Sequence, residues 1–197
     1  GSLRVLDILA NASATIAEGE VLQLTAARDL TTKENTYLRI VRGKTAALFS
    51  AATEVGGVIA GASNAVTSAL HTYGDALGVS FQIVDDLLDF EGSEATIGKN
   101  VGDDFRERKL TLPIKAIAKA NPVELEFWRR VVEKGDQASG DLEHAIALMN
   151  RHGALASARS DALAWSAKAK AALNALPEHP IRTMLSDLAD YVVVRIS

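Results

Sequence analysis

The 197-residue sequence has no cysteine, which excludes disulfides and thiolate metal sites. It has no excess of basic charge: net charge is −4 with the signs mixed along the chain. That argues against a nucleic-acid partner held by phosphate contacts. Proline is rare, at four residues, and aromatics make up 5% of the chain. The four histidines, His71, His144, His152 and His179, lack zinc-ligand spacing and read as surface or boundary residues. Nor is there a long hydrophobic run. The longest uncharged stretch, Val55 to Gly74, contains Ser63, Asn64, Thr67, Ser68 and His71, so no transmembrane segment is expected. Arg4 and Asp7 fall where the apolar core of a signal peptide would begin, and the expected location is cytoplasmic.

Apolar residues make up 48% of the sequence, enough for one sizeable core. Their spacing is helical throughout. Residues 3 to 28 carry Leu3, Leu6, Leu9, Ile16, Val21 and Leu24 at helical intervals with no interior proline. Thr31 followed by Glu34 predicts a capping box opening a second helix, with Tyr37, Ile40, Val41, Lys44 and Leu48 along one side. A third helix is predicted from Ser63 to Phe90. Residues 91 to 110, with Gly92, Gly98 and Gly102 among charges, predict a long loop, a feature usually tied to function or disorder. Further helices are expected from Thr111-Leu112-Pro113, from Asn121-Pro122 to Gly135, from Asp141 to His152, from Ala154 to Leu176, and from Ile181 to Ile196. The fold class is all-α, a multi-helix bundle.

One stretch stands out: Phe81-Gln82-Ile83-Val84-Asp85-Asp86-Leu87-Leu88-Asp89-Phe90. Gln82, one of the Asp85–Asp86 pair, and Asp89 share one helix face, while the apolar residues leave little surface for water. The plain alternative is a solvated acidic stripe. Two carboxylates about 5.5 Å apart at an effective dielectric near 20 repel by roughly 3 kcal/mol, a cost that a cation removes. With oxygen donors alone, Mg²⁺ is the best fit, because it keeps waters and takes phosphate oxygens. Lys44 within Gly43-Lys44-Thr45, Lys99 and Lys109 are candidates to hold a diphosphate beside it. A lysine snorkelling from an apolar face is the bland reading of Lys44.

These motifs carry a resemblance to a known family. Gly78 through Asp89 resembles the second aspartate-rich motif of trans-polyprenyl diphosphate synthases, and Gly43-Lys44-Thr45 resembles their Lys-Thr motif. The run from Gly98-Lys99-Asn100 through Lys109-Leu110-Thr111-Leu112-Pro113 is similar to their downstream loop, and Gly19-Glu20-Val21-Leu22-Gln23-Leu24 to a cavity-lining helix. The similarity is nearest to the long-chain, octaprenyl or decaprenyl type that supplies quinone side chains. It implies an isoprenoid synthase fold, usually a homodimer, and Mg²⁺-dependent condensation of isopentenyl diphosphate with an allylic diphosphate. It also implies roles. Asp85, Asp86 and Asp89 would serve the metal, Asp85 directly and the others directly or through water. Lys44, Lys99 and Lys109 would hold diphosphate. The oxygens of Thr45 and Gln82 would face the developing carbocation, Phe81 would sit near the isopentenyl group, and Glu20 and Gln23 are weaker cavity candidates.

The resemblance also implies a first aspartate-rich motif on an earlier helix, and none is found in the sequence. Asp103-Asp104 imitates one, but it follows the Phe-Gln motif and belongs to the downstream loop. Residues 1–197 are therefore expected to form the C-terminal part of a single isoprenoid synthase domain, with the N-terminal helices and half of the metal site missing. An apolar face should be left uncovered. A non-catalytic partner subunit of a full-length synthase, a plain helical interaction module and a terpene cyclase are the alternatives.

Overall fold

The computed structural model describes residues 2–91 and 101–196. Every regular element among them is helical, as the sequence predicts. Helix α1 (Leu3–Ala26) is opened by Ser2, whose Oγ accepts from the Val5 N–H. Helix α2 (Glu34–Val41) runs through a π-helical turn, Arg42–Ala46, into α3 (Ala47–Ile59). The 28-residue α4 (Asn64–Glu91) follows. Then come three short helices, α5 (Asp103–Arg106), α6 (Pro113–Ile117) and α7 (Pro122–Trp128). Three longer ones complete the fold: α8 (Asp141–Arg151), α9 (Ala154–Ala172) and α10 (Pro180–Val194).

Helix α4 is the axis of the bundle. It packs on α3 along one side and on α9 along the other, with α10 alongside. Ile83, Val84 and Leu87 are fully buried within it, together with Leu148, Leu155 and Trp128 from later helices. Each such aliphatic side chain contributes about 1.5–3 kcal/mol by leaving water. Hydroxyls tie the layers together. Tyr73 Oη donates to the Leu185 carbonyl, Ser80 Oγ to that of Ala162, and Ser166 Oγ to that of Ala189, each at 2.8 Å.

Several boundaries differ from the sequence reading, and the loop expected over residues 91 to 110 holds the short helix α5 (Asp103–Arg106). The expected capping box of Thr31 and Glu34 does not form. Thr31 donates both its N–H and its hydroxyl to Asp29 Oδ1, at 2.9 and 2.7 Å. This local turn competes for the side chain. Lys33 therefore holds the N-cap position of α2 without a side-chain bond, and Glu34 pairs with Lys115. The first helix also stops at Ala26, ahead of Arg28, which has φ of +67°. A capping box does form later. Asn121 Oδ1 accepts from the N–H groups of Val123 and Glu124, and Glu124 Oε2 accepts from the Asn121 N–H.

Helix α1 touches the body along a narrow stripe only. Leu3 is 83% exposed and Leu24 76%, with Leu6, Leu9 and Val21 also open to solvent. A helix that is apolar nearly all round normally sits in an interior. No helix among the described residues is long and apolar enough to cross a membrane.

Candidate active site

The acidic end of α4 opens onto a cavity of about 360 Å³, walled by the end of α1, by α2 and its π turn, and by residues 103–111. The π turn inserts one extra residue into the helical path, and Lys44 and Thr45 lie in this turn, on the cavity wall. Backbone contact between α1 and this turn is possible because both sides are glycine. A Cβ on Gly19 would lie 2.7 Å from the Lys44 nitrogen, and one on Gly43 would lie 2.9 Å from the Gly19 Cα. The close approach puts Gln23 Oε1 at 2.9 Å and Glu20 Oε1 at 3.4 Å from Lys44 Nζ.

The three aspartates of α4 occupy different environments. Asp85 lines the cavity and has no hydrogen-bond partner among the described residues. Asp86 is buried. Its Oδ2 accepts from Tyr37 Oη at 2.6 Å and its Oδ1 from Gln82 Nε2 at 2.9 Å. Gln82 Oε1 in turn accepts from Thr45 Oγ1 at 2.7 Å, so a chain of hydrogen bonds joins α2, its π turn and α4. Asp89 clamps the following segment: its two oxygens accept from the N–H groups of Asp103 and Asp104, both at 3.1 Å.

Six carboxylates (Asp85, Asp86, Asp89, Asp103, Asp104 and Glu107) line the cavity against two lysines, Lys44 and Lys109. Burial, then the charge of Asp104, pushes Asp86 up to about 7 despite its hydrogen bonds. The same two causes push Asp89 up to about 6. Burial raises Asp104 against the pull of Lys109. Burial also pulls on Lys109, but Glu107 and Asp104 outweigh it and hold the ammonium above its ordinary value. Burial and then Asp86 push the Tyr37 phenol far up.

Among the described residues, no three histidine, aspartate or glutamate side chains converge into a ready metal cage. The donor chemistry still suits a hard divalent ion that retains water and takes phosphate oxygens. It is all oxygen, it is rich in negative charge, and Thr111 Oγ1 sits buried on the same wall without a hydrogen-bond partner among the described residues.

Of the residues singled out from the sequence, Gln23, Lys44, Thr45, Gln82, Asp85, Asp86, Asp89 and Lys109 are brought to this cavity. Glu20 reaches it only through Lys44. Phe81 does not line it and packs on Phe49, ring centroids 5.6 Å apart. Lys99 lies outside the described residues. Sequence reasoning missed Tyr37 as a polar member of the site, and also Asp103, Asp104, Glu107 and Thr111. The second Asp-Asp pair was the available signal.

The fold is the all-α fold of the isoprenoid synthases. A family model described as polyprenyl synthetase matches residues 1–149, and the chain belongs to that family. It is 41% identical over 196 residues to the octaprenyl diphosphate synthase of Escherichia coli (strain K12), covering 99% of this chain and 60% of that protein. It superposes on the crystal structure of a decaprenyl diphosphate synthase from Rhodobacter capsulatus with a TM-score of 0.95 and 65% identity, covering 100% of this chain and 61% of that one. The polyprenyl synthase from Caulobacter crescentus CB15, complexed with calcium and isoprenyl diphosphate, gives a TM-score of 0.93 at 47% identity, covering 100% and 60%. The chain thus spans about three-fifths of the length of these relatives.

Proposed function

We propose that this chain carries the diphosphate-binding wall of a trans-prenyltransferase that joins isopentenyl diphosphate to an allylic polyprenyl diphosphate. One observation carries the reading: an acidic cavity with two lysines at its wall and a Thr45–Gln82 pair beside them. Asp85 and Asp89 are the residues to hold Mg²⁺, with Asp86 adding charge from behind them. Bound there, the ion would supply neutralising charge to a leaving diphosphate. Lys44 and Lys109 donate to the diphosphate oxygens, exchanging their present partners Gln23 and Glu107 for the ligand. Lys99 is the third candidate for this task. The oxygens of Thr45 and Gln82 face the carbon that becomes positive when the allylic C–O bond breaks. Isopentenyl diphosphate then attacks that carbon through its double bond, and loss of a proton completes the chain extension.

The resemblance to long-chain synthases further suggests a homodimer in the cytoplasm that makes a quinone side chain. The other aspartate pair among the described residues, Asp103-Asp104 on the four-residue α5, follows α4 and is held to Asp89, and the sequence has no aspartate-rich motif ahead of Gly43-Lys44-Thr45. We therefore expect the chain alone to bind a diphosphate but not to condense two. Calorimetry tests this: inorganic pyrophosphate should bind in the presence of Mg²⁺ and not in EDTA. Absence of binding, or efficient condensation by the isolated chain, would contradict the reading. Binding without turnover, combined with stimulation of a full-length synthase, would instead mark a partner subunit.

A further inference from the structure

Asp86 is poorly placed for direct contact with a ligand. It is 3% exposed, and both its oxygens already accept hydrogen bonds. We propose that Asp86 is a positioning residue, resting on the reading above: it fixes the Gln82 amide so that the carbonyl oxygen, and not the NH₂ group, points to Thr45 and the cavity. An amide side chain has two nearly isosteric orientations, and its surroundings decide between them. Both Asp86 oxygens accept, one from the Tyr37 hydroxyl and the other from the Gln82 NH₂ group, so Gln82 turns its NH₂ group to Asp86. Its Oε1 is then left on the cavity side, where Thr45 Oγ1 donates to it. Thr45 could equally accept from an NH₂ group, so it does not enforce the orientation by itself.

The consequence is electrostatic. With oxygen forward, the amide dipole favours a positive centre beside the diphosphate. With NH₂ forward, it opposes one. Tyr37 completes the arrangement by occupying the second carboxylate oxygen from α2, 49 residues away in sequence. Both carboxylate oxygens of Asp86 are thus engaged from within the protein. A carboxylate two turns deep in a metal motif thus sets the polarity of a neutral neighbour.

Asp86→Asn tests the assignment. Asn keeps the shape and can still accept from Tyr37, but its own NH₂ group would draw Gln82 Oε1 and reverse the amide. Three probes are compared by calorimetry with Mg²⁺: inorganic pyrophosphate, 3-methylbutyl diphosphate, and 2-(dimethylamino)ethyl diphosphate, whose ammonium places a positive charge where the allylic cation forms. The wild type should prefer the ammonium probe over the alkyl probe. Asp86→Asn should lower that preference about tenfold, the scale of one misdirected buried polar group, beyond whatever loss of pyrophosphate affinity follows from removing its charge. Tyr37→Phe loosens the same region but leaves the carboxylate, so it should keep the preference while lowering Tm. Equal loss in both variants would show general damage and overturn the proposal. So would an unchanged preference in Asp86→Asn. If Asp86→Asn does not fold, nuclear Overhauser contacts in the wild type decide: Gln82 NH₂ protons near the Tyr37 ring support the assignment, and protons near the Thr45 methyl overturn it. Failure of the wild type to bind pyrophosphate with Mg²⁺ would refute the prenyltransferase reading instead.

Discussion

Asp86 and Glu124 are buried to a similar degree, at 3% and 6% exposure, yet they are driven in opposite directions. Asp86 is pushed up to about 7, while Glu124 is held down at about 2. Glu124 accepts from the Asn121 N–H, the chief cause of its shift, and then from His152 Nε2 at 2.9 Å and Arg151 Nη1 at 2.9 Å. Its charge is matched where it stands. Asp86 has two neutral donors and a ring of other carboxylates. Low exposure alone therefore does not fix the direction: burial is the chief cause for Asp86, whereas for Glu124 the donors outweigh it. The Glu124 corner closes on itself. The Asp86 corner has excess negative charge that only something from outside the described residues can balance.

The largest test of that contrast lies in the cavity. Asp85→Ala should weaken Mg²⁺-dependent pyrophosphate binding by about a hundredfold, at the upper end of what losing a metal-supporting group costs. Tm should hardly change, because Asp85 has no hydrogen-bond partner among the described residues to lose. A variant that still binds normally would show that the excess charge is not a ligand site. Next in size is Gly43→Ala, whose added methyl meets the Gly19 backbone at 2.9 Å. It should cost about 1–3 kcal/mol in denaturant unfolding, and it should weaken pyrophosphate binding by displacing Lys44. Asn121→Ala removes the side-chain cap of α7 and should cost about 1 kcal/mol, with ligand binding unaffected.

Glu124→Gln closes the series, with an effect that is present at neutral pH and fades in acid. A carboxylate whose folded pKa is depressed from 4.5 to about 2 binds fewer protons folded than unfolded between those values. Its contribution is complete above about pH 4.5 and disappears as pH falls through about 2. Thermal melts across this window should show a shallower acid decline for Glu124→Gln than for the wild type. Identical slopes would mean that the Glu124 charge is not matched as described.

The long α4 and the helices after it were legible because their apolar spacing runs unbroken between strong stops, such as Gly153 before α9 and Pro177 after it. The start of α2 was misread because Asp29 offers Thr31 a nearer partner than the helix end does, a choice between two local bonds that a pattern of residue types cannot rank. In the site, Lys44, Thr45, Gln82 and Asp85 were legible because their chemistry is unusual for a helix among apolar neighbours. Tyr37 was not. A tyrosine on an apolar stripe reads as core, and its bond to Asp86 depends on how α2 and α4 cross. Asp103 and Asp104 were seen but set aside as loop residues. Their arrival beside Asp85 depends on Asp89 holding their backbone.

The π turn at Arg42–Ala46 has a further meaning as a step in phase. One extra residue within a helix shifts everything after it by about 100° around the axis, so α2 and α3 are two helices with different facings joined without a break. The first presents Tyr37 and Val41 to the cavity, and the second turns Ser50 and Ala51 inward. Deleting one residue from the turn would restore a regular helix and rotate these two sets out of register. Either the cavity wall or the seam with α4 could then be kept, but not both.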